Sequence, residues 1–174
     1  VDGTTVTLGI RRRDGSTSEV PIVRAEIEVL PVTWAFVPGT RIADIRLVQF
    51  SDGAAEGVRE ALGQAIGQGA TGVVLDMRGN PGGLVDEAVA VASAFLSEEV
   101  VYQEQDRSGT RRSVETTDTP IAPDLPLTVL VDYGSASSAE IVAAALQDND
   151  RALVIGQRTF GTGTVLNTFP LSDG

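Results

Sequence analysis

The stretch Thr71-Gly72-Val73-Val74-Leu75-Asp76-Met77-Arg78-Gly79-Asn80-Pro81-Gly82-Gly83 carries most of the fold assignment. Thr71 to Met77 is a continuous apolar run of strand length, the mark of a strand buried on both faces in a parallel sheet. A glycine-rich loop, Arg78 to Gly83, then leads into a helical segment in which Leu84, Ala88, Val91, Ala92 and Phe95 line one side. In a parallel sheet such loops gather at the C-terminal ends of the strands, and two glycines in a row let backbone amides approach a ligand oxygen closely.

The same alternation continues on both sides. Upstream, Ile42 to Phe50 reads as a strand, Ser51 as a helix N-cap, and Ala54, Val58, Ala61, Leu62, Ala65 and Ile66 as one apolar helical face. Downstream, Val100 to Gln105 and Ser113 to Thr116 form a strand pair around Arg107-Ser108-Gly109. Leu127 to Val131 is a further buried strand, Ser137 to Gln147 a third helix, Ala152 to Ile155 a strand, and Thr164 to Phe169 closes the readable structure. At the front, Thr4 to Arg12 and Val20 to Val23 flank an Asp14-Gly15-Ser16 turn as a β-hairpin, and Ile27 to Leu30 and Thr33 to Val37 are short extended segments. Strand and helix alternating in this order predict an α/β fold: a largely parallel sheet with flanking helices.

Composition narrows the function classes. A chain of 174 residues can bury one full core. Its net charge of -11 argues against a nucleic-acid or anionic-membrane partner. With no cysteine there are no disulfides and no thiolate metal sites. All 13 basic residues are arginine, so lysine and histidine are both absent. Without lysine the glycine-rich loop is no nucleotide-triphosphate cradle, and Gly79-Asn80-Pro81-Gly82-Gly83 lacks the spacing of a dinucleotide site.

A second segment, Gly134-Ser135-Ala136-Ser137-Ser138-Ala139-Glu140, has two readings. Ser137 with Glu140 three residues on fits a capping box. Ser137 also follows a buried strand and a sharp turn at a small-residue helix start, where the helix dipole and free amides favour a developing oxyanion. A serine nucleophile needs a partner to take its proton, and this chain contains neither histidine nor lysine to do so.

Taken together, GVVLDMRGNPGG, GSASSAEIVAAALQDNDRALVIG and RTFGTGTV resemble the carboxy-terminal processing peptidases, or tail-specific proteases, from about Ile42 to Phe169. The resemblance implies a Clp protease/crotonase-like core over residues 25–174 lacking its final strands. It also implies that residues 1–24, with GTTVTLGIRR and EVPIVRA, are the last strands of a truncated PDZ domain, an N-terminal hairpin remnant. By motif the nucleophile maps to Ser137, and the oxyanion donors to the amides of Ser138 and of Gly82 or Gly83. The family's dyad lysine maps to Thr162 and its supporting glutamine to Leu166, so both positions are changed; an acidic residue sometimes implicated maps to Asp148. By helical rise Asp148 lies roughly 16 Å from Ser137, which makes it a structural residue.

The implied function is a serine peptidase-type domain impaired in catalysis that still binds polypeptide C-termini or unfolded protein. The alternative is an active serine endopeptidase with an unconventional or external base. An acyl-thioester enzyme of crotonase type is a third reading, lacking a basic phosphate-binding patch. The resemblance further implies no cofactor, no metal, an extracytoplasmic location and room for a homo-oligomer.

Overall fold

The structure, a computed structural model, describes residues 2–25 and 30–164. It divides after Leu30 into two compact units, a few residues beyond the boundary expected at residue 24. In the first unit, strands β1 (Thr5–Arg11) and β2 (Thr17–Val23) pair antiparallel with Thr5 opposite Val23 and Arg11 opposite Thr17. The Asp14 carboxylate accepts the Ser16 amide at 2.9 Å and its hydroxyl at 2.7 Å, which closes the turn. The expected segment Ile27 to Leu30 lies, except for Leu30, outside the described residues.

The second unit is built on a five-stranded sheet in the order β3 (Val32–Phe36), β4 (Ile42–Leu47), β5 (Gly72–Asp76), β8 (Leu127–Val131), β9 (Leu153–Gly156). The β3–β4 pair is antiparallel, and β4–β5, β5–β8 and β8–β9 are parallel. Helices α1 (Ala54–Gly67), α2 (Val85–Ser93) and α3 (Ser138–Asp148) supply the crossovers. A separate antiparallel pair, β6 (Val100–Gln105) and β7 (Arg111–Glu115), stands between α2 and β8 in the chain. The α/β architecture with a largely parallel sheet is thus as the alternation predicts.

Burial shows where the core sits. Ala43, Ile45, Leu47, Val73, Leu75, Val129 and Val131 point to one sheet face and are buried there with Val58, Leu62, Val91, Phe95, Val142 and Leu146 of the helical segments. The intervening strand residues point the other way. Val74, Thr128 and Leu130 are only partly buried, and Leu153 and Ile155 are 65% and 47% exposed. Thr71 to Met77 is therefore not equally buried on its two faces, because the helices pack on one side of the sheet.

A second correction concerns α1. Its N-cap is Gly53, not Ser51. The cap hydrogen bonds come from another helix: Glu87 of α2 accepts the Gly53 amide at 3.0 Å and the Ala55 amide at 2.7 Å. A carboxylate facing a helix N-terminus satisfies two orphan amides and favours the macrodipole. It also locks α1 to α2.

Candidate active site

The glycine-rich loop is fixed from both ends. At the end of β5 the buried Asp76 pairs with Arg46 at 2.8 Å and with Arg78 at 2.7 Å, and also accepts the Arg78 amide at 3.0 Å. Burial pushes the Asp76 pKa up, but hydrogen bonds from Arg78 and the charges of Arg46 and Arg78 leave it below the usual aspartate value. Asn80, fully buried, donates to the Leu47 carbonyl at 2.9 Å and accepts the Gly82 amide at 2.8 Å. On the far side, Phe50 donates its amide to Gly82 O at 3.0 Å and accepts the Leu84 amide at 2.7 Å.

The turn after β8 is tied to that loop. Asp132 accepts the amides of Gly79 at 2.7 Å and Gly134 at 2.9 Å. Those bonds, Gly79's first, hold its carboxyl below the usual range. Ser135 donates its hydroxyl to Met77 O at 2.8 Å, and the Ala136 amide reaches Asn80 O at 3.0 Å. Ser138, buried as the first residue of α3, donates its hydroxyl to Gly83 O at 2.8 Å. A Cβ built on Gly82 would lie 2.7 Å from the Ser137 Cβ and 3.0 Å from the Ser138 amide nitrogen. Ser137, Ser138 and the glycine pair are therefore brought together.

Ser137 is the N-cap of α3 with φ 54 and ψ -119. A non-glycine residue held there carries strain of about 1–3 kcal/mol, the kind that neighbouring structure must enforce. Among the described residues neither the Ser138 nor the Gly83 amide donates to a partner, whereas the Gly82 amide is committed to Asn80.

The third element is the segment after β9. Glu140 and Ser137 have the capping-box arrangement that the sequence pattern anticipates, with the Ser137 amide donated to Glu140 Oε2 at 2.9 Å. Glu140 also reaches well beyond it. Its Oε1 accepts the Thr159 hydroxyl at 2.8 Å and the Gly161 amide at 2.7 Å, and its Oε2 accepts the Thr162 amide at 2.8 Å. Burial opposes the charge, yet the hydrogen bonds from Thr159, Thr162, Gly161 and Ser137 outweigh it and hold the Glu140 pKa below the usual glutamate value. With both oxygens each taking two donors and its basicity reduced, this carboxylate is badly suited to accept a proton from Ser137.

These elements surround a cleft of about 720 Å³, lined among others by Ser137, Gly83, Thr162, Phe160, Tyr102 and Ile141. That is the size of a site for a small ligand or a few residues of peptide. Thr162 lines the same cleft as Ser137. Asp148 does not join them: it is the last residue of α3, exposed, at the opposite end of the helix from Ser137. Leu166 lies outside the described residues. No group of histidine, cysteine or carboxylate side chains able to hold a metal occurs among the described residues. In the sequence Glu140 shows only as a cap, because its remaining partners lie 19 to 22 residues further along the chain.

The family profile described as Peptidase family S41 matches residues 41–174. The chain is 46% identical over 137 residues to a carboxyl-terminal-processing protease of Synechocystis, covering 79% of this chain and 32% of that protein. It is 37% identical to the carboxyl-terminal-processing protease of Picosynechococcus, over 99% of this chain and 42% of that one. It thus spans about a third to two fifths of the length of these relatives. Among solved structures, the photosystem II D1 C-terminal processing protease superposes with a TM-score of 0.77 at 30% identity, covering 99% of this chain and 48% of that chain. A sheet of this order, a strained serine at the start of α3 and this degree of identity place the chain in peptidase family S41, among the carboxyl-terminal processing peptidases.

Proposed function

We propose that this domain binds extended polypeptide at a carboxyl-terminal processing peptidase site whose catalysis is impaired. One observation carries the reading. The segment that should bring a base to Ser137 reaches the cleft, held there by Glu140, and what it brings is Thr162. A threonine hydroxyl does not titrate near neutrality, and general-base assistance is worth on the order of 10² to 10⁴ in rate. Leu166, in place of the supporting glutamine, belongs to the same loss. Asp148 is too far along α3 to compensate, and Glu140 is saturated with donors.

In this reading the oxyanion donors are the amides of Ser138 and Gly83, because the Gly82 amide is already used. The strained Ser137 and those two unpaired amides are also what favours the second reading, an active endopeptidase using an unconventional or external base. The substrate class proposed is polypeptide, bound at its C-terminus or in an unfolded stretch, and the location proposed is extracytoplasmic. Support for the location comes from relatives alone, two of which, from Arabidopsis, are named as chloroplastic. The hairpin β1–β2 is proposed as PDZ-derived; Leu8, Ile10, Ile22 and Val23 are exposed on it.

Fluorescein-labelled casein separates the two readings. The expected result is a rise in anisotropy on binding with no new amino termini appearing over hours. Steady release of fragments that Ser137→Ala abolishes would establish the endopeptidase instead.

A further inference from the structure

We infer that Glu140 is the positioning residue of this site, tying the segment from Thr159 to Thr162 to the first turn of α3 and so forming one wall of the cleft. The inference rests on the polypeptide-binding reading for its purpose, and on geometry alone for the clamp itself.

Four donors converge on one carboxylate: the Ser137 amide from the cap of α3, and the Thr159 hydroxyl and the Gly161 and Thr162 amides from the segment after β9. All four distances lie between 2.7 and 2.9 Å, the range of charge-assisted bonds. Among the described residues the segment has one other hydrogen-bonded anchor close by, the Phe160 amide to Ser135 O at 3.0 Å. Phe160 and Thr162 of this segment line the cleft, as do Gly163 and Thr164 directly after it, so its position decides whether the wall exists. The tilted contact of Phe160 with Tyr133, centroids 5.8 Å apart, lies at the same rim, and both rings are largely exposed. They hold the segment only weakly.

Glutamine has the shape of glutamate and half its accepting capacity. Each Glu140 oxygen takes two donors, so Glu140→Gln keeps partners for one pair and turns an NH₂ group toward the other. A packing role would not register that change; a clamp role must. Hydrogen exchange is expected to accelerate at Gly161 and Thr162 by roughly tenfold in Glu140→Gln and by more in Glu140→Ala, with β5 amides unchanged. Casein affinity should fall by a similar factor. If Glu140→Ala does not fold, Thr159→Val removes a single bond and should accelerate exchange at Gly161 by about threefold.

Exchange at Gly161 and Thr162 identical in Glu140→Gln and wild type would overturn the clamp. Acceleration spread equally over Val73 to Leu75 would also overturn it, showing a contribution to the whole fold. Loosened exchange with unchanged casein affinity would overturn its role in shaping the cleft. Should wild-type protein fail to bind casein, the polypeptide-binding reading falls, and the exchange data still decide the clamp.

Discussion

Thr162→Lys combined with Leu166→Gln is expected to raise casein hydrolysis at least about a hundredfold over wild type, the lower end of what a general base contributes. The receiving site is already built. Ser137 is strained at the N-cap of α3, the Ser138 and Gly83 amides have no partner among the described residues, and Thr162 faces the same cleft. A lysine there must be neutral to accept the Ser137 proton. Partial desolvation lowers its pKa, but a carboxylate nearby raises it. The Thr162 amide sits 2.8 Å from Glu140 Oε2, so a lysine rooted at that position starts beside a charge that favours its ammonium form. Glutamine at position 166 restores the residue type proposed here to orient that amine, which leucine cannot do. Thr162→Lys alone should therefore gain less than tenfold and lower the thermal midpoint, because it places an ammonium in a partly enclosed site without its partner. Equal gains from the single and double variants, in full-chain protein at neutral pH, would show that the glutamine position is immaterial.

The second large effect is structural. Gly82→Ala and Gly83→Ala should each destabilise the protein by about 3 kcal/mol, combining positive-φ strain of roughly 1–2 kcal/mol with overpacking of a similar size. Gly82 has φ +94, and its Cβ would press on Ala136 O at 2.7 Å as well as on Ser137. Gly83 has φ +144, and its Cβ would fall on the Phe50 carbonyl. Both obstacles include backbone held in hydrogen bonds, so neither can swing aside. The denaturant midpoint reads the loss, and a change below about 0.5 kcal/mol in either variant would mean that the loop relaxes freely.

Much of this was legible beforehand, for identifiable reasons. Apolar runs such as Leu127 to Val131 and the spacing of Ala54, Val58, Ala61 and Leu62 are local signals, and the structure places strand and helix there. The glycine pair and Ser137 were legible as motifs, and the fold brings them into contact. What escaped was carried by partners distant in sequence. Ser51 looked like a cap, yet Glu87 caps α1 from 34 and 32 residues away. The apolar run around Val74 suggested burial on both faces, yet the register puts Val74 beside Asp44 and Thr128 on the face opposite the helices. Asn80 reads as one more residue of the glycine-rich loop, and it takes the Gly82 amide that the motif offers as an oxyanion donor. No periodicity encodes such contacts.

The most direct measurement of the central claim is covalent capture of Ser137 by a fluorophosphonate, followed by intact-mass analysis of wild-type protein and of Ser137→Ala. Capture forms the Ser137 Oγ–phosphorus bond with loss of fluoride and needs the hydroxyl proton to be taken up as it forms. With Thr162, proposed here to hold the place of the dyad lysine, and with Glu140 already saturated by its four donors, wild-type labelling should stay at the level of Ser137→Ala. Complete labelling confined to Ser137, absent from the alanine variant, would contradict the account and require a base outside the groups identified around this cleft.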